Sequence, residues 1–300
     1  MEKIELWQLR QRQSLSLDMK ERFTEKRINN WYDYYNGEVY IAFSGGKDST
    51  VLLHQVRKLY PDVQAVFVDT GLEYPEIRKF VKTVGNVVWI KPKIPFNKVI
   101  EKYGYPAVSK KIARHIEDLQ NPTDKNVITR NTRLTGYNSQ GVYCPSQKCS
   151  KKWLKFVDSD IRLSGKCCDV MKKQPFKKYN KETGKKPFVG VMACESSMRE
   201  KNYLKQGCNS FSSKTNPVSM PMAFWLEKDV YEYKEKYGLT FSKAYDTETS
   251  TGCMFCMFGV HLEKEPNRFQ RMKINHPKQY DYCINKLGCG KVLDFMSVNY

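Results

Sequence analysis

Between residues 38 and 90, short apolar segments alternate with helical patterns. Glu38-Val-Tyr-Ile-Ala-Phe43, Val63-Gln-Ala-Val-Phe-Val68 and Asn86-Val-Val-Trp-Ile90 are rich in β-branched and aromatic residues, as buried strands are. Thr50–Arg57 and Tyr74–Val84 read as the helices between them. Strands joined through helices in this way need right-handed crossovers, which align them in parallel. The expected class is therefore α/β, with a doubly wound, mostly parallel sheet. Ahead of it, Leu15, Met19, Phe23, Ile28, Trp31 and Tyr35 recur at helical steps, and Gly37 follows where a terminating glycine belongs.

The later chain is less regular. Val108–Leu119 reads as a helix, 120–150 as a long loop, and Trp153, Phe156, Val157 and Ile161 mark a further helix. Lys172–Lys186 reads as a basic loop, Pro187–Met192 as a strand, and Glu195–Lys205 and Leu226–Tyr237 as helices. The expected organisation is a helical extension at 1–37, a domain at 38–260 with a basic insertion at about 101–186, and a C-terminal segment at 261–300.

Composition narrows the function classes. The 300 residues carry 51 Lys and Arg against 32 Asp and Glu, a net charge of +19. Hydrophobic residues make up 40%, too many for a disordered basic chain. No apolar run has the length of a membrane span, and the start lacks a signal-peptide pattern, so the expectation is a cytoplasmic protein with no membrane partner. Ten cysteines in a reducing compartment point to metal, cluster or redox chemistry rather than to disulfides. Residues 101–186 hold 20 basic and 8 acidic residues, a net of +12. That excess is more than one nucleotide needs and points to nucleic acid. Trp153, Tyr137, Tyr143 and Phe156 lie in the same stretch and could stack on bases.

Ser44-Gly45-Gly46-Lys47-Asp48-Ser49 lies between a predicted strand and a predicted helix, the context an anion cradle needs. Two glycines let backbone N–H groups converge on phosphate oxygens, and the helix start adds positive partial charge. The hydroxyls of Ser44 and Ser49 and the amine of Lys47 can add donors. Four residues do not separate its first glycine from Gly-Lys, so it is not a Walker motif. It resembles the PP-loop of the ATP-pyrophosphatase superfamily, whose members bind ATP, usually with Mg2+, and adenylate an acceptor. The resemblance implies catalytic roles for Lys47, Asp48 and Asp69. It implies nucleotide binding by Ser44, Gly45, Gly46, Lys47, Asp48 and Ser49, and an adenine-nucleotide-α-hydrolase-like fold. Asp69-Thr70-Gly71, after the second strand, resembles the Asp-Thr-Gly segment of phosphoadenosine-phosphosulfate (PAPS) reductases and adds Asp69, Thr70 and Gly71 to the binding set.

Cys167-Cys168 and Cys253-Met-Phe-Cys256 are separated by 84 residues. A Cys-x-x-Cys turn holds two thiolates on one side of a loop. Adjacent cysteines diverge, which the several corners of a cluster accept more readily than one zinc ion does. Zinc and unliganded thiols are the alternatives. The pattern resembles the [4Fe–4S] set of assimilatory adenylyl-sulfate reductases, which implies Cys167, Cys168, Cys253 and Cys256 as ligands. Cys194, Cys208 and Cys283 read as small buried residues. Cys144 and Cys149 have a spacing that could hold a metal. Cys289 matches only part of the C-terminal motif whose cysteine attacks sulfur in thiol-dependent reductases.

Gly190-Val-Met-Ala-Cys-Glu195-Ser-Ser-Met-Arg199 resembles that family's Gly-x-Arg…Glu-Ser…Arg segment. This implies nucleotide binding by Glu195 and Arg199, although Met192 stands where the first Arg belongs. Pro221-Met-Ala-Phe-Trp225 with Asp229-Val230 resembles a mainly structural element. Sulfonucleotide reductases usually lack the Lys-Asp that this loop keeps. The combination resembles phage and CRISPR-associated PAPS-reductase-like proteins and the sulfur-transfer subunit of DNA phosphorothioation systems. It implies ATP-dependent adenylation for sulfur transfer, on nucleic acid or a nucleotide, with a sulfur donor or partner subunit. The alternatives are a sulfite-forming reductase of adenylyl sulfate or PAPS, and a nucleic-acid-binding module that senses a nucleotide without catalysis.

Overall fold

In chain order the strands are β1 Val39–Ala42, β2 Ala65–Val68, β3 Val87–Ile90, β4 Ala107–Val108, β5 Lys186–Val189, β6 Asn209–Ser210, β7 Val218–Ser219 and β8 Met257–Phe258. This computed structural model describes residues 4–211 and 217–300. Among the described residues six of the strands form one sheet in the order β3-β2-β1-β5-β7-β6. Every pairing in it is parallel except β6 with β7 at the edge. The fold class expected from the strand–helix alternation is the one observed.

The chain divides into two compact units. Of the described residues, the first holds those within 1–69, 74–91 and 175–251; the second holds 70–73, 92–174 and 252–300. In the first unit, Tyr40, Ile41, Val66 and Phe188 of the central strands are buried, as a sheet covered on both faces requires. The Lys47–Leu59 helix turns Val51, Leu52 and Val56 inward and packs beside the helices Leu17–Tyr34 and Glu227–Tyr237. Lys20 and Asp229 tie those two neighbours by a buried ion pair of 2.6 Å, and Trp225 Nε1 donates to Thr24 Oγ1. The Pro221–Val230 element is thus structural, as its sequence suggested. The chain leaves β1 toward β2 on one side, while β5 lies on the other. Such a reversal of strand order is where open α/β sheets bind ligands.

In the second unit β4 pairs with β8 in parallel, and Ser109 caps the Lys110–Gln120 helix by accepting from Ile112 N. The helices Val127–Thr135, Arg268–Asn275 and Cys289–Phe295 belong to this unit.

Three segments differ from expectation. The 120–150 stretch contains the Val127–Thr135 helix, which hides from periodicity because its apolar residues face outward. Lys172–Lys186 is mostly helical: a π-helical turn at Asp169–Lys173 runs into the Gln174–Thr183 helix. Pro175 and Tyr179 give that helix its buried side, too few apolar positions to show among the lysines. Around Trp153 the structure has only a short 3-10 helix, Lys151–Phe156. Among the described residues no helix is long and apolar enough to cross a membrane.

Candidate functional site

The 44–49 loop leaves β1 and enters the Lys47–Leu59 helix in the first unit. Gly45 has φ +73°, and a Cβ there would meet Val81 Cγ2 at 2.7 Å, so only glycine fits. At Gly46 the constraint is space: a Cβ would meet the Tyr245 hydroxyl at 3.1 Å, Ser44 Oγ at 3.2 Å and Thr251 Oγ1 at 3.4 Å. The loop therefore keeps a small hollow ringed by hydroxyls. Ser44 Oγ accepts from Gly46 N at 3.2 Å and lies 3.0 Å from Ser49 Oγ. Lys47 N donates to the Tyr245 hydroxyl at 2.9 Å, and that hydroxyl lies 2.8 Å from Thr251 Oγ1. Backbone donors at a helix N-terminus, bridged by neutral hydroxyls, have the chemistry that can cradle an anion.

The charges around the cradle are mixed. Lys47 Nζ donates to Glu227 and lies 5.1 Å from the centre of the Tyr231 ring. Burial lowers its pKa, but the Glu227 bond and neighbouring negative groups outweigh that and hold the amine above its usual value. Asp48 is pushed up to about 6, first by burial and then by Glu195. Its Oδ1 is buried and lacks a hydrogen-bond partner. Gly190, just past β5, packs against the backbone of Asp48 and Ser49, where a Cβ would lie 3.0 Å from Asp48 O. Glu195 and Arg199 form an ion pair one helical turn apart, and Glu195 Oε2 accepts from Met192 N. Asp69 ends β2, is buried, and accepts from Arg78 Nη2 at 2.9 Å.

Thr70 and Gly71 belong to the second unit. Thr70 Oγ1 donates to Glu73 Oε1 at 2.6 Å, and Leu72 O accepts from Met254 N at 2.8 Å. That bond fixes the Cys253–Cys256 turn, which a Cys256 N to Cys253 O bond closes. Cys167, Cys168, Cys253 and Cys256 line one apolar cavity with Lys172 and Met171. Among the described residues no three His, Cys, Asp or Glu side chains converge as one metal ion requires. Burial pushes the thiols of Cys167 and Cys253 up, and that of Cys256 up to about 11. Lys172 is held well above the usual lysine value, chiefly by Cys253 and, after the opposing effect of burial, by Glu73.

The remaining cysteines differ from one another. Cys208, Cys283 and Cys289 are buried, and Cys283 and Cys289 hydrogen-bond each other. Cys194, expected in the core, is exposed; its thiol is pushed up by burial of the sulfur and by Glu195. Cys144 is half-buried and Cys149 buried. Trp153 and Phe156, expected to stack on bases, are 5% and 0% exposed and belong to the core, whereas Tyr137 and Tyr143 are exposed.

Sequence reasoning missed Tyr245, Thr251, Glu227 and Tyr231 around the cradle, and Lys172 and Glu73 around the thiols. Only Lys172 carried a signal, since it follows Cys168 by one helical turn.

Residues 38–117 match the phosphoadenosine phosphosulfate reductase domain family. An adenosine 5'-phosphosulfate reductase of Anoxybacillus flavithermus is 21% identical over 87% of this chain and 90% of its own length. A Bacillus cereus protein of the same name is 24% identical over 78% of this chain and 79% of its own length. An uncharacterized protein of Methanocaldococcus jannaschii is 25% identical over 90% of this chain, which spans 46% of that protein. A solved phosphoadenylyl-sulfate reductase from Candida auris superposes with a TM-score of 0.45 at 14% identity, covering 80% of this chain and 96% of its own. The chain is thus similar to PAPS-reductase-like proteins in its loop motif, its family match over 38–117 and its near end-to-end sequence likeness to adenosine 5'-phosphosulfate reductases.

Proposed function

We propose that this chain is a sulfonucleotide reductase. It would bind adenylyl sulfate or its 3'-phosphorylated form and release sulfite and the corresponding adenosine phosphate. The S–O bond to the adenylyl group breaks, and an external dithiol supplies two electrons and becomes a disulfide. The observation that carries this reading is the near end-to-end likeness to adenosine 5'-phosphosulfate reductases.

In this reading Ser44, Gly45, Gly46 and Ser49 hold the anionic group of the nucleotide, and Lys47 offsets its charge. Asp69 fixes Arg78 beside the strand end. Glu195 and Arg199 orient the nucleotide, with Arg199 released from its pair to meet the anion. The donor set suits a [4Fe–4S] cluster. Four thiols spread around one apolar cavity match a cluster's separate corners, whereas a single zinc ion draws its ligands to about 2.3 Å from one point. Cys167, Cys168, Cys253 and Cys256 would hold it, and Lys172 would offset its negative charge. When bound, such a cluster supplies a delocalised, redox-capable charge.

The buried Asp48 oxygen favours a second reading. A partnerless carboxylate oxygen beside an anion cradle suits a cation such as Mg2+, which ATP brings and adenylyl sulfate does not need. Lys47 and Asp48 would then act on ATP, pyrophosphate would leave, and an acceptor would be adenylated for sulfur transfer.

One pair of assays separates the two. Anaerobically purified protein is given adenylyl sulfate or PAPS with reduced thioredoxin, and sulfite is measured. The same protein is given ATP and Mg2+, and pyrophosphate is measured. Sulfite formation without pyrophosphate release is expected. Pyrophosphate release that Asp48→Ala abolishes, with no sulfite, would replace the first reading by the second.

A further inference from the structure

We propose that the hairpin at residues 137–143, with the helix it stands on, is a stacking surface for single-stranded nucleic acid. The inference is independent of the reaction proposed above and uses residues of the second unit alone.

The hairpin is built by Asn138 N donating to Val142 O at 3.0 Å and Gly141 N donating to Asn138 O at 3.1 Å. It sets Tyr137 opposite Tyr143, with ring centres 5.2 Å apart. The rings are 53% and 49% exposed. Gly136 makes this possible. Its φ of +89° ends the Val127–Thr135 helix, and a Cβ there would strike the Tyr143 ring at 2.6 Å. The ring thus lies against bare backbone, beside Lys148. Cys149 N donates to Arg133 O at 2.7 Å and anchors the returning strand to the helix. Ile128, Leu134 and Val142 add exposed apolar surface at 63%, 47% and 54%.

An exposed aromatic pair in an apolar patch marks an interaction site, and its charge selects the occupant. Of the seven basic residues in 123–156, Arg133 is buried and paired with Asp118, which leaves six against the one acidic residue there. Lys151, Lys152 and Lys155 are exposed on the segment that follows. Protein interfaces are depleted of lysine, whereas strands of unpaired bases pair a phosphate backbone with stackable faces. A duplex hides those faces. A free nucleotide is met by a concave pocket, not by a protruding hairpin.

The test is fluorescence anisotropy with a labelled oligo(dT) of roughly 20 nucleotides and with the same strand in a duplex. The parent is expected to prefer the single strand. Tyr137→Ala with Tyr143→Ala should weaken single-strand binding about 5- to 100-fold and leave duplex binding unchanged. Tyr137→Phe with Tyr143→Phe keeps the rings and should bind like the parent, which separates stacking from misfolding. Lys148→Gln should lower the salt slope by about 0.7. Equal binding by the alanine variant and the parent would overturn the proposal. So would a parent that prefers duplex or binds neither probe, or a chain that dimerises through this face and loses the dimer in the alanine variant.

Discussion

The cradle at 44–49 and the four-thiol cavity are built in opposite ways. The cradle is six consecutive residues, and backbone N–H groups and small hydroxyls do its work. The thiol site collects side chains from five separate places in the chain: Leu72, Phe96, Pro106, 167–172 and 253–258. The first is set by what is missing, the Cβ atoms of two glycines. The second is set by what is present, four thiols and one half-buried cation. Filling space should therefore break the cradle, and removing atoms should break the thiol site.

The largest effect is expected at the thiols. On the proposed cluster and reaction, Cys253→Ser should leave the protein without iron or visible absorption near 400 nm and lower sulfite formation about 100-fold or more. Nucleotide binding by the cradle should change less than about two-fold, measured by calorimetry, if the two sites are energetically separate. Next is Gly45→Ala, which combines a left-handed φ with a 2.7 Å clash. It should cost about 2–4 kcal/mol in urea unfolding. Gly46→Ala should sharpen the contrast, because its backbone is ordinary and its neighbours are hydroxyl groups. Stability should fall by less than about 1 kcal/mol, while nucleotide affinity drops about 10-fold as the hollow fills.

Asp48 tests the electrostatics of the cradle. Its folded pKa of about 6 lies above the ordinary value of 3.8, so the folded state binds the extra proton between those values. Its contribution to stability is therefore greatest below pH 4 and is lost as pH rises to about 6. Asp48→Asn removes that loss. Relative to the parent, the variant should gain about 1–3 kcal/mol between pH 4 and pH 7 in paired urea titrations, and a flat difference would refute the assignment. The smallest functional effect is expected from Cys289→Ser. Cys289 is fully buried against Cys283, so sulfite formation should stay within about two-fold, with a stability cost of about 1–2 kcal/mol. Loss of sulfite with iron retained would instead make Cys289 the attacking thiol.

How much of this was legible in the sequence follows from the same contrast. The sheet was readable because β1, β2 and β3 are short apolar runs separated by amphipathic helices. The loop was readable because its chemistry is contiguous. Cys167, Cys168, Cys253 and Cys256 were readable as a spaced set because cysteine is chemically distinctive. Tyr245 and Thr251 were not, because a phenol and a hydroxyl some 200 residues from Lys47 carry no mark of the contact. The Val127–Thr135 helix was missed because exposed apolar residues defeat a rule that assumes they face inward. Trp153 and Phe156 failed the same rule in reverse: surrounding lysines suggested surface, yet both rings fill the core.

The Tyr245 hydroxyl on the Lys47 amide gives the cradle a built-in optical tag. An anion reaching that amide exchanges with a phenol of the protein, so loading changes the solvation of one ring. Near-ultraviolet difference absorption at Tyr245, checked against Tyr245→Phe, would follow occupancy of the cradle without a labelled ligand and without turnover.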